Sequence, residues 1–128
     1  MKYLAVDYGK KYIGLAVSDD MGLLAFPLDV YENNKDILNT IKKICQDKEI
    51  QNIVIGDSVD QDGIKNSIAK DAQKFADILK NEINLSIHFQ KEQFTSVHAR
   101  NSGSDKKGRI DASAAALILQ RFLDRLNK

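Results

Sequence analysis

The chain is poor in the residues that tie small proteins into extracellular or membrane settings. It has one cysteine, Cys45, in 128 residues, so no disulfide can form within it and a disulfide-stapled secreted scaffold is excluded. No apolar run approaches the roughly 20 residues needed to cross a bilayer, and the N-terminus has no apolar signal core followed by a small-residue cleavage site. Proline is equally scarce, with Pro27 near the end of an apolar run. An excess of one charge is also missing: 19 Lys and Arg stand against 18 Asp and Glu, so a polyanion would have to be met by a local basic patch. Internal repeats and low-complexity tracts are absent. Together these point to a cytoplasmic protein with no membrane role. The length and a 43% hydrophobic content suit one domain over residues 1–128 with a real core.

Organisation has to come from periodicity. Tyr3 to Asp7 alternate as a strand, and Tyr12 to Ser18 follow with Ile13, Leu15 and Val17 on one side. Leu23 to Val30 make a third run, joined to the second by an Asp19-Asp20-Met21-Gly22 hairpin turn. From about Asn34 the spacing becomes helical, with Asn33 or Asn34 as N-cap and Ile37, Leu38, Ile41, Ile44 and Cys45 on one face. Ile53, Val54 and Ile55, closed by Gly56, read as a strand buried on both sides. Ile64, Ile68, Ala72, Phe75 and Leu79 mark a helix ending near Asn84, and Leu85, Ile87 and Phe89 alternate as a fifth strand. Asn101 to Arg109 reads as a basic loop, and an apolar stripe from Ala112 to Leu126 closes the chain as a helix. The predicted order is β-β-β-α-β-α-β-α-α. This is an α/β fold with a mixed five-stranded sheet, an antiparallel meander plus parallel strands, covered by helices on both faces.

Three carboxylates stand at element ends: Asp7 closing the first strand, Glu92 just after the fifth, and Asp111 at the start of the last helix. In open α/β sheets ligands collect beyond the carboxyl ends of the strands, where these three could converge on Mg²⁺ or Mn²⁺. Each also has a plainer reading. Asp7 can be a turn aspartate, Glu92 an exposed loop residue, and Asp111 an N-cap worth about 1 kcal/mol. Asp57, after Gly56, reads as a turn residue or a fourth ligand.

The blocks DYGKKYIGLAVSDDMGLLAFPL, IVIGDSVDQDG, KEQFTS and GRIDASAAALILQRFLD, in that order and spacing, resemble the YqgF family of ribonuclease H-like nucleases over nearly the whole chain. The resemblance implies a ribonuclease H-like fold and a metal-dependent nuclease acting in 5′-end maturation of the 16S ribosomal RNA precursor. Older analogy called such proteins Holliday junction resolvases. The family's acidic positions fall on Asp7, Glu92 and Asp111. This chain departs from the family in four places, one of them a segment between Thr95 and Asp111 that is shorter than is typical. Lys91-Glu92-Gln93 stands for Asp-Glu-Arg, Gly56-Asp57-Ser58 for Gly-Leu-Pro, and Tyr12 for an arginine. Asp57 is therefore a candidate to replace the ligand lost at Lys91. Arg100, Lys106, Lys107 and Arg109 suit phosphate contact, RNA being favoured over DNA, or form a solvated charged loop. His98 is a candidate proton carrier, and Thr95 and Ser96 caps of a following helix. The oligomeric state, monomer or dimer, is open. The competing functions are a junction-cleaving DNA nuclease, a noncatalytic RNA-binding or regulatory module of the same fold, and an actin-like ATPase, which would need a second domain.

Overall fold

Apolar alternation with a period of two builds the centre of the molecule. In the computed structural model, residues 1–59, 67–93 and 112–127 are described, with side chains for all of these except 57–59, 67–69, 92 and 93. The elements run β1 (Tyr3–Asp7), β2 (Tyr12–Ser18), β3 (Ala25–Glu32), α1 (Ile37–Asp47), β4 (Asn52–Val59), α2 (Ser67–Glu82), β5 (Ser86–Gln93) and α3 (Ser113–Leu126). The strands form one sheet in the order β3-β2-β1-β4-β5. β1, β2 and β3 pair antiparallel, while β4 joins β1, and β5 joins β4, in parallel.

Each sheet face carries its own core. Leu4, Val6, Ile13, Leu15, Ile53 and Ile55 pack with Ile37, Ile41 and Cys45 of α1 and with Ala72, Phe75, Ala76 and Leu79 of α2. The alternate residues Tyr3, Ala5, Ala16 and Val54 pack under Ala115, Ile118, Leu119, Phe122 and Leu123 of α3. A fully buried Leu, Ile or Val contributes about 1.5–3 kcal/mol, so this two-sided burial drives the fold. Ile53, Val54 and Ile55 are inaccessible on both faces, as their unbroken apolar run predicts. Burial pushes the Cys45 thiol up to about 11, so it acts as a small core hydrophobe.

The boundaries differ from the sequence expectation where polar side chains intervene. The third strand starts at Ala25 because Asp19 Oδ1 accepts from the backbone N–H groups of Leu23 (2.8 Å) and Leu24 (3.2 Å), which holds both in the turn. The same two bonds hold the Asp19 carboxyl below its ordinary value. The N-cap of α1 is Asp36 rather than Asn33 or Asn34. Asn33 instead donates through Nδ2 to the Gly9 carbonyl at 2.8 Å. Asn34 Oδ1 accepts from the Asp36 N–H at 2.9 Å. Strand β5 runs on to Gln93, so Glu92 lies inside the strand and not after it. At α3 the N-cap position belongs to Ala112 and has no side-chain cap bond, which corrects the reading of Asp111 as the capping residue. Ile64 and the helix expected after Thr95 and Ser96 lie outside the described residues.

Candidate active site at the carboxyl ends of the central strands

Parallel pairing of β1, β4 and β5 brings their carboxyl ends to one edge of the sheet, where α/β folds bind ligands. Asp7 closes β1 and is half-buried. Tyr3 and Ala5 lie in the α3 core, so the alternation puts Asp7 on the α3 face as well. Its partner across the antiparallel ladder is Gly14. A Cβ on Gly14 would lie 3.8 Å from each of the Asp7 Cβ, the Ala112 Cα and the Ala115 Cβ, so α3 begins directly beside Asp7. Ala112 supplies no side-chain cap, and the start of a helix carries partial positive charge.

The neighbouring strands continue the site. Val6 pairs with Ile55, so Gly56 takes the level of Asp7 on β4. A Cβ on Gly56 would come within 2.7 Å of the Ile118 Cδ1, so the bare backbone there makes room for the tip of this α3 side chain. On β5, Gln90 pairs with Gly56 and Glu92 with Ser58. Glu92 therefore shares the alternation set of His88, whose ring lies 5.4 Å from that of Phe122 on α3. The backbone positions of Asp7 and Glu92 stand about 10 Å apart across two strand spacings, with Glu92 about 7 Å further along the strand direction. Asp57 pairs with Lys91 and falls in the set of Ile53 and Ile55, out of phase with Asp7 and Glu92.

Asp111, one residue before Ala112, lies outside the described residues, as do Arg100, Lys106, Lys107, Arg109, Thr95, Ser96 and His98. Among the described residues no group of three or more His, Cys, Asp or Glu is placed to hold a metal. Carboxylate positions in one phase, at one sheet edge, supply the oxygen donors that a hard divalent cation takes, so the donor chemistry fits Mg²⁺ or Mn²⁺. A cavity of about 420 Å³ lined by Lys42, Cys45, Glu82 and Leu85 lies at the other end of the sheet, before β4 and β5 begin.

Two cations at this edge escaped the sequence reading. Lys10 and Lys11 are exposed in the turn between β1 and β2, three and four residues after Asp7. The Asn33 N–H donates to the Lys11 carbonyl at 2.9 Å, and the Asn33 side chain holds Gly9, so this turn is pinned from β3. The signal was the Lys-Lys pair directly after Asp7-Tyr8-Gly9.

Likeness to known proteins gives the family and the fold. The profile of the family RuvX, described as "Holliday junction resolvase", matches residues 1–125. A relative from Dictyoglomus turgidum, named "Putative pre-16S rRNA nuclease", is 35% identical over 136 residues, spanning 99% of this chain and 96% of its own. One of the same name from Clostridium botulinum (strain Eklund 17B / Type B) is 31% identical, with both chains fully covered. Among solved structures, RuvC of Thermus thermophilus in complex with a Holliday junction superposes with a TM-score of 0.60 at 12% identity, covering 98% of this chain and 96% of that one. The fowlpox virus resolvase with its junction DNA gives 0.56 at 10% identity, with both chains fully covered. These structural likenesses bear out the ribonuclease H-like fold. Matched along nearly all of its length, the chain belongs to the RuvX family, also called YqgF.

Proposed function

We propose that the protein is a metal-dependent nuclease that hydrolyses phosphodiester bonds of the 16S ribosomal RNA precursor at its 5′ end. The observation that carries this is the placement of Asp7 and Glu92 in one phase at the shared carboxyl edge of β1, β4 and β5, in a chain of this family. The names of its relatives favour ribosomal RNA as substrate, and a protein acting on that substrate would work in the cytoplasm.

Asp7, Glu92 and Asp111 would hold Mg²⁺ or Mn²⁺. Asp57 is left out of the set because its register is out of phase. When bound, such ions activate a water for attack and stabilise charge on the leaving oxygen. The chain's own part is to position and to neutralise. Asp7 is fixed beside Gly14 and the start of α3. Lys10 and Lys11 draw the polyanionic backbone to this edge, and Arg100, Lys106, Lys107 and Arg109 are the further cations the sequence offers for phosphate contact.

Cleavage of precursor RNA in Mn²⁺ by the wild type and by Asp7→Asn tests this. The variant should keep its circular dichroism spectrum and lose at least about a hundredfold in rate, since even outer partners of metal ligands cost 10–100-fold. Equal rates would refute the proposal, and absence of cleavage by the wild type would favour a noncatalytic RNA-binding module. A four-way DNA junction run in parallel tests the second reading, which the family's description and the RuvC likeness favour.

A further inference from the structure

Four tyrosines occur in the chain, and three have a packing role. Tyr3 belongs to the α3 core, its ring 5.9 Å from Phe122. Tyr8 packs on Phe75 with the rings tilted and their centroids 5.3 Å apart, and Tyr31 packs against the core of the opposite face. Tyr12 belongs to neither core among the described residues and is half-buried. It opens β2 in the same phase as Gly14, because Ile13 points into the other core. Asp7 faces Gly14 across the ladder, so Tyr12 is the diagonal neighbour of Asp7 on the same face, about 7–8 Å away. The Lys11 ammonium lies 5.9 Å from the centroid of the Tyr12 ring, at the limit of a cation–π contact. Both stand on a turn held by Asn33 and by Gly9, where a Cβ would overlap the Tyr12 carbonyl oxygen. An aromatic ring outside the core, one diagonal step from the candidate carboxylate and capped by an ammonium on a rigid turn, is the arrangement that binds unpaired nucleotides. The ring stacks a base and the cation meets its phosphate.

We infer that Tyr12 and Lys11 form a stacking platform for an unpaired nucleotide beside Asp7, which makes this edge of the sheet selective for single-stranded over duplex RNA. This rests on the nuclease reading above. Bases inside a duplex present no free face to such a ring, whereas those of single strands do. A surface tyrosine that stacks no base would instead leave binding of single strands and duplexes alike unchanged when removed.

The test is equilibrium binding without divalent metal, by fluorescence anisotropy of labelled single-stranded and duplex RNA. Tyr12→Ala should weaken single-strand binding about tenfold and leave duplex binding unchanged, and Tyr12→Phe should bind as the wild type does. Lys11→Ala should reduce the slope of log K against log salt for single strands by about 0.7, the loss of one phosphate contact. The chain has no tryptophan, so the single indole introduced by Tyr12→Trp reports directly. Its fluorescence should be quenched by single strands and not by duplex. The inference is overturned if Tyr12→Ala binds single strands like the wild type, if it loses both substrates equally, or if the indole is not quenched. In those cases cleavage by the wild type and its loss in Asp7→Asn would still uphold the nuclease. If the wild type neither binds nor cuts RNA, both readings fall together.

Discussion

At the scale of single residues, Gly56 shows how much of the site depends on a missing side chain. Its place on β4, level with Asp7, is covered by Ile118 so closely that a methyl group would meet the Cδ1 at 2.7 Å. Ile118 is itself only 6% exposed, so it has little room to retreat. Gly56→Ala should therefore cost about 1–3 kcal/mol through overpacking, read from urea unfolding. In an Ile118→Val background, which removes the offending Cδ1, the same change should cost less. That coupling separates a clash from a general intolerance of alanine. Costs that simply add would show that Ile118 is not the cause.

At the scale of elements, phase and length decide which acidic residues can act together. Asp57 was attractive in the sequence because it adds a carboxylate close to one that Lys91 removes. Pairing of β4 with β5 shows that these two residues share a register position, in the set of Ile53 and Ile55. Calorimetric titration with Mn²⁺ should accordingly give unchanged affinity for Asp57→Asn and at least about tenfold weaker binding for Asp7→Asn. Weakening by Asp57→Asn would restore it as a ligand. The alternation of β1 and β2, and hence the place of Asp7, was legible because it is local: Leu4, Val6, Ile13 and Leu15 name one face without reference to the rest of the chain. The end of β5 was not legible, since Gln90 to Gln93 are polar and stay in the strand only through pairing with a distant β4. The start of β3 was hidden for a different reason, because Leu23 and Leu24 read as strand until the Asp19 carboxylate is seen to take both of their amides.

At the scale of the whole molecule, β1 joins two unlike halves. On one side it closes an antiparallel meander of near neighbours, and on the other it accepts β4 and then β5 through parallel crossovers that carry α1 and α2. Loop closure makes the second half slower to form. Pulsed hydrogen exchange during refolding should protect amides of β2 before those of β5, and the reverse order would contradict this. The sheet order then bears on how the protein comes to be active. Asp7 belongs to the half expected to assemble early, and Glu92 to the half expected to assemble late. A partly folded chain thus carries only one side of the proposed site, and on the proposed function nuclease activity would switch on only once β5 and the final helix have both docked. The emerging enzyme would leave nearby RNA intact until it is whole.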